Sequence, residues 1–254
     1  MAGRAVPGVS ILVLTEDSGK HAHGTMVALC KKMLQLVEPA CQTQRIEFEP
    51  AKAGARHVVN GNGWKSAKKH RELVDLRRTI ATKLGEPGGF VFFHTDGDCA
   101  WSRRGPNDVR DTFEARIAGP LRNLLLTGGE RRQPMSAPEV EVLLARLRLL
   151  VPFYSIEAWL YQNIDVAIEL CHAHHGGKDT DRLARWRECR HELDELRKPK
   201  DELCLQDRHN KELAERAYPA RAAYQAGASF TAAVDSLTEC EPLGLALRAT
   251  ASSA

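Results

Sequence analysis

The sequence predicts an α/β fold with a mainly parallel, four-stranded sheet flanked by helices and a helical C-terminal extension. Along residues 9–175, apolar runs of strand length alternate with segments whose apolar residues recur at helical spacing. This alternation is typical of parallel sheets that carry helices on both faces. After residue 176 the chain is rich in Arg, Glu, Leu and Ala and shows no strand pattern. We therefore assign 1–176 to the α/β domain and 177–254 to a helical extension packed on it.

Each element is predicted from its own pattern. The first strand covers residues 9–14 and the first helix 22–37. "RIEFE" alternates as the second strand, and "HRELVDLRRTIATKL" is amphipathic at helical spacing. The third strand, within "GGFVFFHTDGD", is followed by a helix over residues 108–126 and by a polar, proline-bearing connector. The fourth strand, "LRLLVPFYS", is predicted to lead into one helix, "IEAWLYQNIDVAIELCHAHH".

The chain has the features of a cytoplasmic protein. No segment approaches the roughly 18 apolar residues of a membrane span, and the N-terminus "MAGRAVPG" lacks the apolar core of a signal peptide. The seven cysteines are scattered and form no C-x-x-C pair. We therefore expect reduced thiols rather than disulfides or a zinc knuckle.

A basic stretch predicts contact with nucleic acid, although the formal net charge is only +3. Residues 52–83 contain nine Lys or Arg against two acidic residues, a density that can neutralise backbone phosphates. A solvated helix face is the alternative interpretation. Trp64 and Trp101 lie beside basic residues, where they can stack a base, but a core or anchoring role is slightly favoured. The predicted phosphate contacts are Lys65, Lys68, Lys69, Arg103 and Arg104.

Carboxylates follow three of the predicted strands. Glu16 follows the first strand, and Glu157 the fourth. The third strand ends in Asp96-Gly-Asp98, where the glycine permits a tight turn. Because ligand sites in parallel sheets lie at the carboxyl ends of the strands, these side chains are expected at one edge. Carboxylate oxygens suit a hard cation, so we predict a Mg²⁺ or Mn²⁺ site.

Other chemistries are compatible with parts of this pattern. The first turn is not a phosphate-binding P-loop, because Leu14 and His21 replace its first glycine and its Ser/Thr. Haloacid-dehalogenase phosphatases use D-x-D-x-T after their first strand, whereas here the motif follows the third strand and Ala100 replaces the threonine. Sugar-nucleotide transferases also hold a metal with Asp-x-Asp and remain open. A zinc site at His172 and His175 lacks a third ligand of matching spacing.

These motifs resemble the Toprim fold of topoisomerases, primases and the overcoming-lysogenization-defect nucleases. That pattern is a strand ending in Glu and a later strand ending in Asp-x-Asp, joined within a small α/β domain. "VPFYSIEAWLYQN" is similar to small prokaryotic Toprim-like proteins of defence and mobile-element loci. The resemblance covers roughly residues 8–175 and part of the helical tail.

The resemblance implies a role for each matched residue. Glu16 corresponds to the Toprim glutamate, a general acid/base or metal ligand, and Asp96 and Asp98 to the metal-binding aspartates. Glu157 and Ser155 fall where the related nucleases hold a second ion, with serine replacing one carboxylate. Lys200, with Lys198 behind it, matches a late catalytic lysine.

The implied function is a Mg²⁺-dependent endonuclease or nickase, with DNA favoured over RNA as the substrate. It would act in antiviral defence with a partner ATPase, without a membrane, and with its oligomeric state open. The alternative is a non-catalytic Toprim-like subunit that binds nucleic acid or an ATPase. A sugar-nucleotide transferase or a phosphatase using the Asp-x-Asp motif is less favoured.

Overall fold

The computed structural model describes residues 8–66, 70–99, 108–128, 133–197 and 203–252. Within these ranges the chain forms a four-stranded, all-parallel sheet in the order β2-β1-β3-β4. Helices flank the sheet, and the C-terminal region is helical. The predicted α/β class is confirmed. The strands are β1 (Ser10–Thr15), β2 (Glu47–Pro50), β3 (Gly89–His94) and β4 (Leu147–Leu150).

The helices alternate with the strands up to β4 and continue after it. The α-helices are α1 (Ala22–Val37), α2 (Ala53–Val59), α3 (His70–Leu84), α4 (Asp108–Phe113), α5 (Gly119–Thr127), α6 (Ala137–Leu144), α7 (Glu157–Leu160), α8 (Ile164–His175), α9 (Thr180–Arg185), α10 (Asn210–Glu215), α11 (Ala220–Ala226), α12 (Ala228–Thr238) and α13 (Glu241–Ser252). A π-helical turn, Glu114–Ala118, joins α4 to α5. Short 3₁₀ helices cover Thr43–Arg45, Asn60–Lys65, Arg190–Glu195 and Asp207–His209.

The sheet is buried on both faces because alternate side chains enter two apolar clusters. Ile11 and Val13 of β1 belong to a cluster that includes α1, α8 and the C-terminal helices. Their neighbours Leu12 and Leu14 belong to a second cluster with α2, α3 and α5. Strands covered on both faces read as continuous apolar runs, as β1 and β3 do. The C-terminal helices therefore supply much of the core on one face.

The chain around β4 differs from the prediction. The strand ends at Leu150, because Pro152 has no backbone N–H to extend a ladder, and residues 151–156 are irregular. The single predicted helix is broken into α7 and α8. Asn163 leaves helical geometry at the break, and its amide donates to the carbonyls of Leu213 and Arg216 at 2.9 and 2.6 Å. Glu157 therefore begins a short helix and does not directly follow a strand.

An additional helix, α6, begins at the end of the predicted connector and lies before β4. Ser136 and Glu139 form a capping box at its start. The Glu139 carboxylate accepts from the Ser136 backbone N–H at 2.9 Å and from its hydroxyl at 2.7 Å. The segment before α3 is also more regular than its glycine-rich sequence suggests, because α2 runs into the 3₁₀ helix Asn60–Lys65.

Candidate metal centre

Three segments of the chain meet at the carboxyl edge of the sheet. Thr15 of β1 pairs in register with His94 of β3, and His94 pairs with Leu150 of β4. The Glu16 N–H donates to the His94 carbonyl at 3.1 Å, which continues the ladder one step. The residues that follow β1 and β3 therefore start at the same level, as the rule for parallel sheets predicts.

Asp96 lies where these segments meet. Its backbone N–H donates to Glu16 Oε2 at 3.2 Å, and its Oδ1 accepts from the Ile156 N–H at 3.1 Å. The second bond brings the start of α7, and with it the buried Glu157, to the same place. Glu157 therefore lies at the edge of the sheet predicted from the sequence. It is placed there by the irregular segment after β4 and not by the end of the strand itself.

Gly97 is required by a close approach of two backbones. A Cβ at this position would lie 2.4 Å from the carbonyl oxygens of both Pro152 and Phe153. The Cys99 N–H donates to the same Phe153 carbonyl at 3.0 Å, which ties the turn to the segment after β4. Asp98 takes a left-handed conformation with φ 57°, which Asp tolerates better than most residues. Its carboxylate is exposed at the rim.

Glu16 is held by partners that the sequence did not suggest. Asn62 Nδ2 donates to Oε1 at 2.7 Å, and the Thr95 hydroxyl makes a short hydrogen bond to Oε2. Asn62 has φ 62°, a conformation that Asn adopts readily. Both oxygens of the carboxylate are thus oriented from two directions. The "NGNG" sequence was a visible signal of unusual backbone, but it did not indicate a contact with Glu16.

Lys65 faces the carboxylates rather than open solvent. Its ammonium lies 3.2 Å from Asp98 Oδ2 and 3.7 Å from Glu16 Oε2, with 21% of the side chain exposed. The neighbouring Trp64 is fully buried against Phe93 and Phe113. The favoured core role of Trp64 is therefore confirmed. Trp159 is likewise in the core.

The carboxylates around Asp96 alter its protonation. Burial, followed by the charges of neighbouring carboxylates, raises the pKa of Asp96 well above its usual range. We call this group the carboxylate cluster; its members are Glu16, Asp17, Asp96, Asp98 and Glu157. Four like charges around one carboxyl favour either a bound proton or a bound cation. Asp17, the residue after Glu16, was not among the ligands predicted from the sequence.

His94 adds a neutral nitrogen below the cluster. Burial lowers the pKa of His94 to about 4, so the imidazole carries no charge at pH 7 and cannot neutralise Asp96. Nδ1 shares a hydrogen bond with the Thr15 hydroxyl at 3.0 Å. Nε2 is buried 3.8 Å from Asp96 Oδ1 and has no hydrogen-bond partner among the described residues. The Ser155 hydroxyl has none there either.

The oxygen atoms of the carboxylate cluster suit a hard divalent cation. They do not, however, lie as close together as the ligands of a bound ion would. Carboxylate oxygens are suitable ligands for Mg²⁺ or Mn²⁺, with waters completing the shell. A more compact group of possible metal ligands lies elsewhere in the described part of the chain. It consists of three residues whose ligand atoms all lie within 4.8 Å of one another. We call it the thiol cluster: Cys171, Asp179 and Cys204. The carboxylates are more widely spaced, and Lys65 stands between two of them.

Two clefts open on either side of the turn after Glu16. One, of about 470 Å³, is lined by Glu16–Ala22 together with Thr25, Asp207, Arg208 and Asn210. The other, of about 590 Å³, includes Arg56, His57 and Asn60. Both clefts contain Asp17, Gly19 and Lys20. Each cleft therefore combines acidic and basic side chains beside the carboxylate cluster.

The remaining predicted site residues fall outside the described ranges. They are Lys68, Lys69, Arg103, Arg104 and Lys200, together with Lys198 and Trp101. Within those ranges, none of the helices has the length and apolar character needed to cross a membrane. Comparison with known proteins gives no match to a family model, to a curated protein or to a solved structure. Inference about function therefore depends on the geometry of this site.

Proposed function

We propose that this chain is a divalent-metal-dependent nuclease of the Toprim type that hydrolyses phosphodiesters. The observation that supports it most is the meeting of carboxylates from three segments around Asp96, whose pKa is raised by burial and then by these neighbouring charges. Repulsion of this kind costs stability unless a cation or proton compensates it. The unpartnered Nε2 of His94, buried beneath Asp96, is a second polar group that a bound cation or its water would satisfy.

In the proposed mechanism, Asp96, Asp98 and Glu157 would hold a Mg²⁺ or Mn²⁺ ion, which would supply Lewis-acid polarisation of the scissile phosphate. Glu16 transfers a proton, either from the attacking water or to the leaving oxygen. Its contacts with Asn62 and Thr95 keep the carboxylate in one orientation. Lys65 binds a non-bridging phosphate oxygen at the rim, next to Asp98.

The proposed substrate is nucleic acid, with DNA favoured over RNA. Lys20 lies in both clefts, Arg208 in one and Arg56 in the other, so a phosphate backbone could cross the turn after Glu16 with cations on both sides. A cytoplasmic location and a partner ATPase in antiviral defence belong to the same proposal. Both derive from the sequence pattern and its resemblance to Toprim proteins.

The second candidate is a non-catalytic subunit that binds nucleic acid or an ATPase. It is favoured by the position of Lys65, whose ammonium already compensates Asp98 and Glu16 without a metal ion. It is also consistent with the wide spacing of the carboxylates. In this case the same ion pairs would stabilise the edge of the sheet, and Glu16 would have no role in proton transfer.

A nicking assay separates the two candidates. Supercoiled plasmid DNA is incubated with the purified full-length chain and Mg²⁺ or Mn²⁺, with EDTA as the blank. The nuclease proposal expects metal-dependent nicking that is lost in Asp96→Asn and retained in Asp111→Asn, a matched change at an exposed aspartate. Equal nicking by both variants would indicate a contaminating enzyme and contradict the assignment. Binding of DNA without cleavage at any metal concentration would favour the non-catalytic subunit.

A further inference from the structure

The thiol cluster joins three segments on the helical side of the molecule. Cys171 lies in the last turn of α8, Asp179 is the residue before α9, and Cys204 lies in the described segment that precedes the 3₁₀ helix Asp207–His209. Cys171 is fully buried and Cys204 nearly so, whereas Asp179 is partly exposed. One side of the cluster is therefore within reach of solvent.

Direct contacts connect all three residues. Cys204 Sγ lies 3.0 Å from Cys171 Sγ in a thiol–thiol hydrogen bond. Asp179 Oδ2 accepts from the Cys204 N–H at 2.7 Å, and the Asp179 N–H donates to Cys171 Sγ at 3.4 Å. A backbone N–H aimed at a sulfur stabilises negative charge on that sulfur. The peptide geometry is therefore suited to a thiolate at Cys171.

The turn between α8 and α9 brings Asp179 back over Cys171. Gly176 and Gly177 both have positive φ, 64° and 74°, and the Gly177 N–H donates to the Cys171 carbonyl at 3.1 Å. A Cβ at Gly177 would lie 2.6 Å from the His172 ring. Two consecutive left-handed residues reverse the chain within a few residues, which a run of non-glycine residues does not do readily.

We propose that Cys171, Cys204 and Asp179 bind one zinc ion, or a divalent cation of similar affinity for sulfur. Two sulfurs and one carboxylate oxygen match the ligand types of tetrahedral zinc and are unsuited to Mg²⁺. A tetrahedral site with Zn–S bonds of about 2.3 Å separates its sulfurs by about 3.8 Å. The sulfurs must therefore part by less than 1 Å from 3.0 Å, which side-chain rotation provides. A water molecule takes the fourth position.

The position of the cluster gives the ion a structural role. Only two residues separate Cys204 from Asp207, which lines the smaller cleft together with Arg208 and Asn210. A cation at the thiol cluster ties this segment to the end of α8 and so fixes one wall of the cleft. Zinc binding itself does not depend on the proposed nuclease activity, since the thiol and carboxylate clusters share no residue.

Metal titration of the full-length chain tests the site. After chelation under reducing conditions, the protein is titrated with Zn²⁺ and, as a spectroscopic probe, with Co²⁺. We expect one zinc-competed ion per chain, with a sulfur-to-cobalt charge-transfer band in the near ultraviolet. Cys204→Ser should halve that band and weaken zinc binding by at least about 100-fold, because loss of a direct ligand exceeds the effect of losing an outer-shell partner. Cys189→Ser, at a partly exposed cysteine outside the cluster, is the control.

Three results would overturn the proposal. The first is the absence of a sulfur-to-cobalt band in the wild-type chain. The second is a zinc affinity that Cys204→Ser leaves unchanged. The third is a Cys171–Cys204 disulfide, found by peptide mass mapping of protein purified without reductant. If Cys204→Ser does not fold, Asp179→Asn provides a second test, because it keeps both thiols. We expect this variant to retain the sulfur-to-cobalt band and to bind zinc about 10-fold or more weakly than the wild-type chain. Affinity unchanged in Asp179→Asn would exclude the carboxylate as a ligand.

Discussion

The carboxylate cluster and the thiol cluster have opposite constructions. The first consists of hard oxygen donors at the carboxyl edge of a sheet, where burial, followed by the repulsion of neighbouring carboxylates, raises the pKa of Asp96. The second consists of two buried thiols and one carboxylate that already touch one another. The carboxylate cluster is therefore distinguished by its concentration of negative charge, and the thiol cluster by the short distances between its ligand atoms. Charge and compactness are separate indications of cation binding, and this chain has them in different places.

The difference also concerns chemistry. Weakly enclosed oxygen ligands leave positions for water and substrate, as metal-assisted hydrolysis requires. Two thiolates with one carboxylate supply three of the four ligands of a tetrahedral zinc ion and leave one position for water. If both proposals hold, the two sites should respond to different metals and to different substitutions.

The largest effect is expected for Glu16→Gln. Loss of a general acid/base lowers the cleavage rate by about 10²–10⁴-fold. The amide keeps one carbonyl oxygen that can accept a hydrogen bond, so the fold and nucleic-acid binding should persist. Single-turnover nicking at matched Mg²⁺ measures the effect, with Glu47→Gln on the exposed face of β2 as the control. A wild-type rate in Glu16→Gln would remove this residue from the mechanism.

The second prediction tests whether the two clusters are independent. Asp96→Asn should weaken Mn²⁺ binding by about 100-fold or more while leaving zinc affinity unchanged, because a neutral amide is a poor ligand for a hard cation. Cys204→Ser should do the reverse. Calorimetric titration of each variant with each metal gives the four affinities. If Asp96→Asn lowers zinc affinity equally, the ions share one site and the comparison fails.

The third prediction concerns the stability of the metal-free protein against pH. A carboxyl whose pKa is raised by folding holds its proton longer in the native than in the unfolded chain. The stability due to Asp96 is thus fully present below the unfolded pKa of about 3.9 and is lost as pH rises through the raised native pKa. We expect Asp96→Asn to remove this decline and to raise stability at pH 7 by on the order of 1 kcal/mol.

Urea unfolding of wild type and Asp96→Asn in EDTA, across the pH range from about 4 to 8, measures the third prediction. Asp111→Asn, at an exposed position, should leave the pH profile unchanged. A wild-type profile in Asp96→Asn would mean that neither burial nor the neighbouring carboxylates raise the pKa of Asp96. The case for a compensating cation at the sheet edge would then be lost.

The smallest effect is expected for Lys65→Gln. If Lys65 binds one phosphate of duplex DNA, its removal lowers the slope of log affinity against log salt by about 0.9. Fluorescence anisotropy at several salt concentrations measures the slope in Mg²⁺-free buffer with Ca²⁺. The exposed Lys20, which lies in both clefts, gives a second variant with the same expectation. An unchanged slope for Lys65→Gln would restrict this lysine to its ion pairs with Asp98 and Glu16.

Much of the fold was predictable because its signals are local. The apolar runs of β1 and β3 and the helical spacing of α1 and α3 can be read within windows of about 6–16 residues. The parallel arrangement follows from their alternation, and it predicts that Glu16 and Asp96 meet at one edge. The end of β4 and the break between α7 and α8 were missed. The break depends on contacts with distant segments, as the bonds from Asn163 to Leu213 and Arg216 illustrate. The end of β4 has a local signal in Pro152, which the strand prediction overlooked.

The α/β class and the edge of the sheet that carries the strand-end carboxylates follow from local sequence, because periodicity and strand ends are properties of neighbouring residues. The side chains that hold Glu16, and the cysteines that meet, are recognisable only in the folded chain. Asn62 is 46 residues from Glu16, and Cys171 is 33 residues from Cys204, so no local spacing relates either pair. Such pairs form when helices and loops pack on a common core. Their contacts are a consequence of burial across the whole chain rather than of any motif.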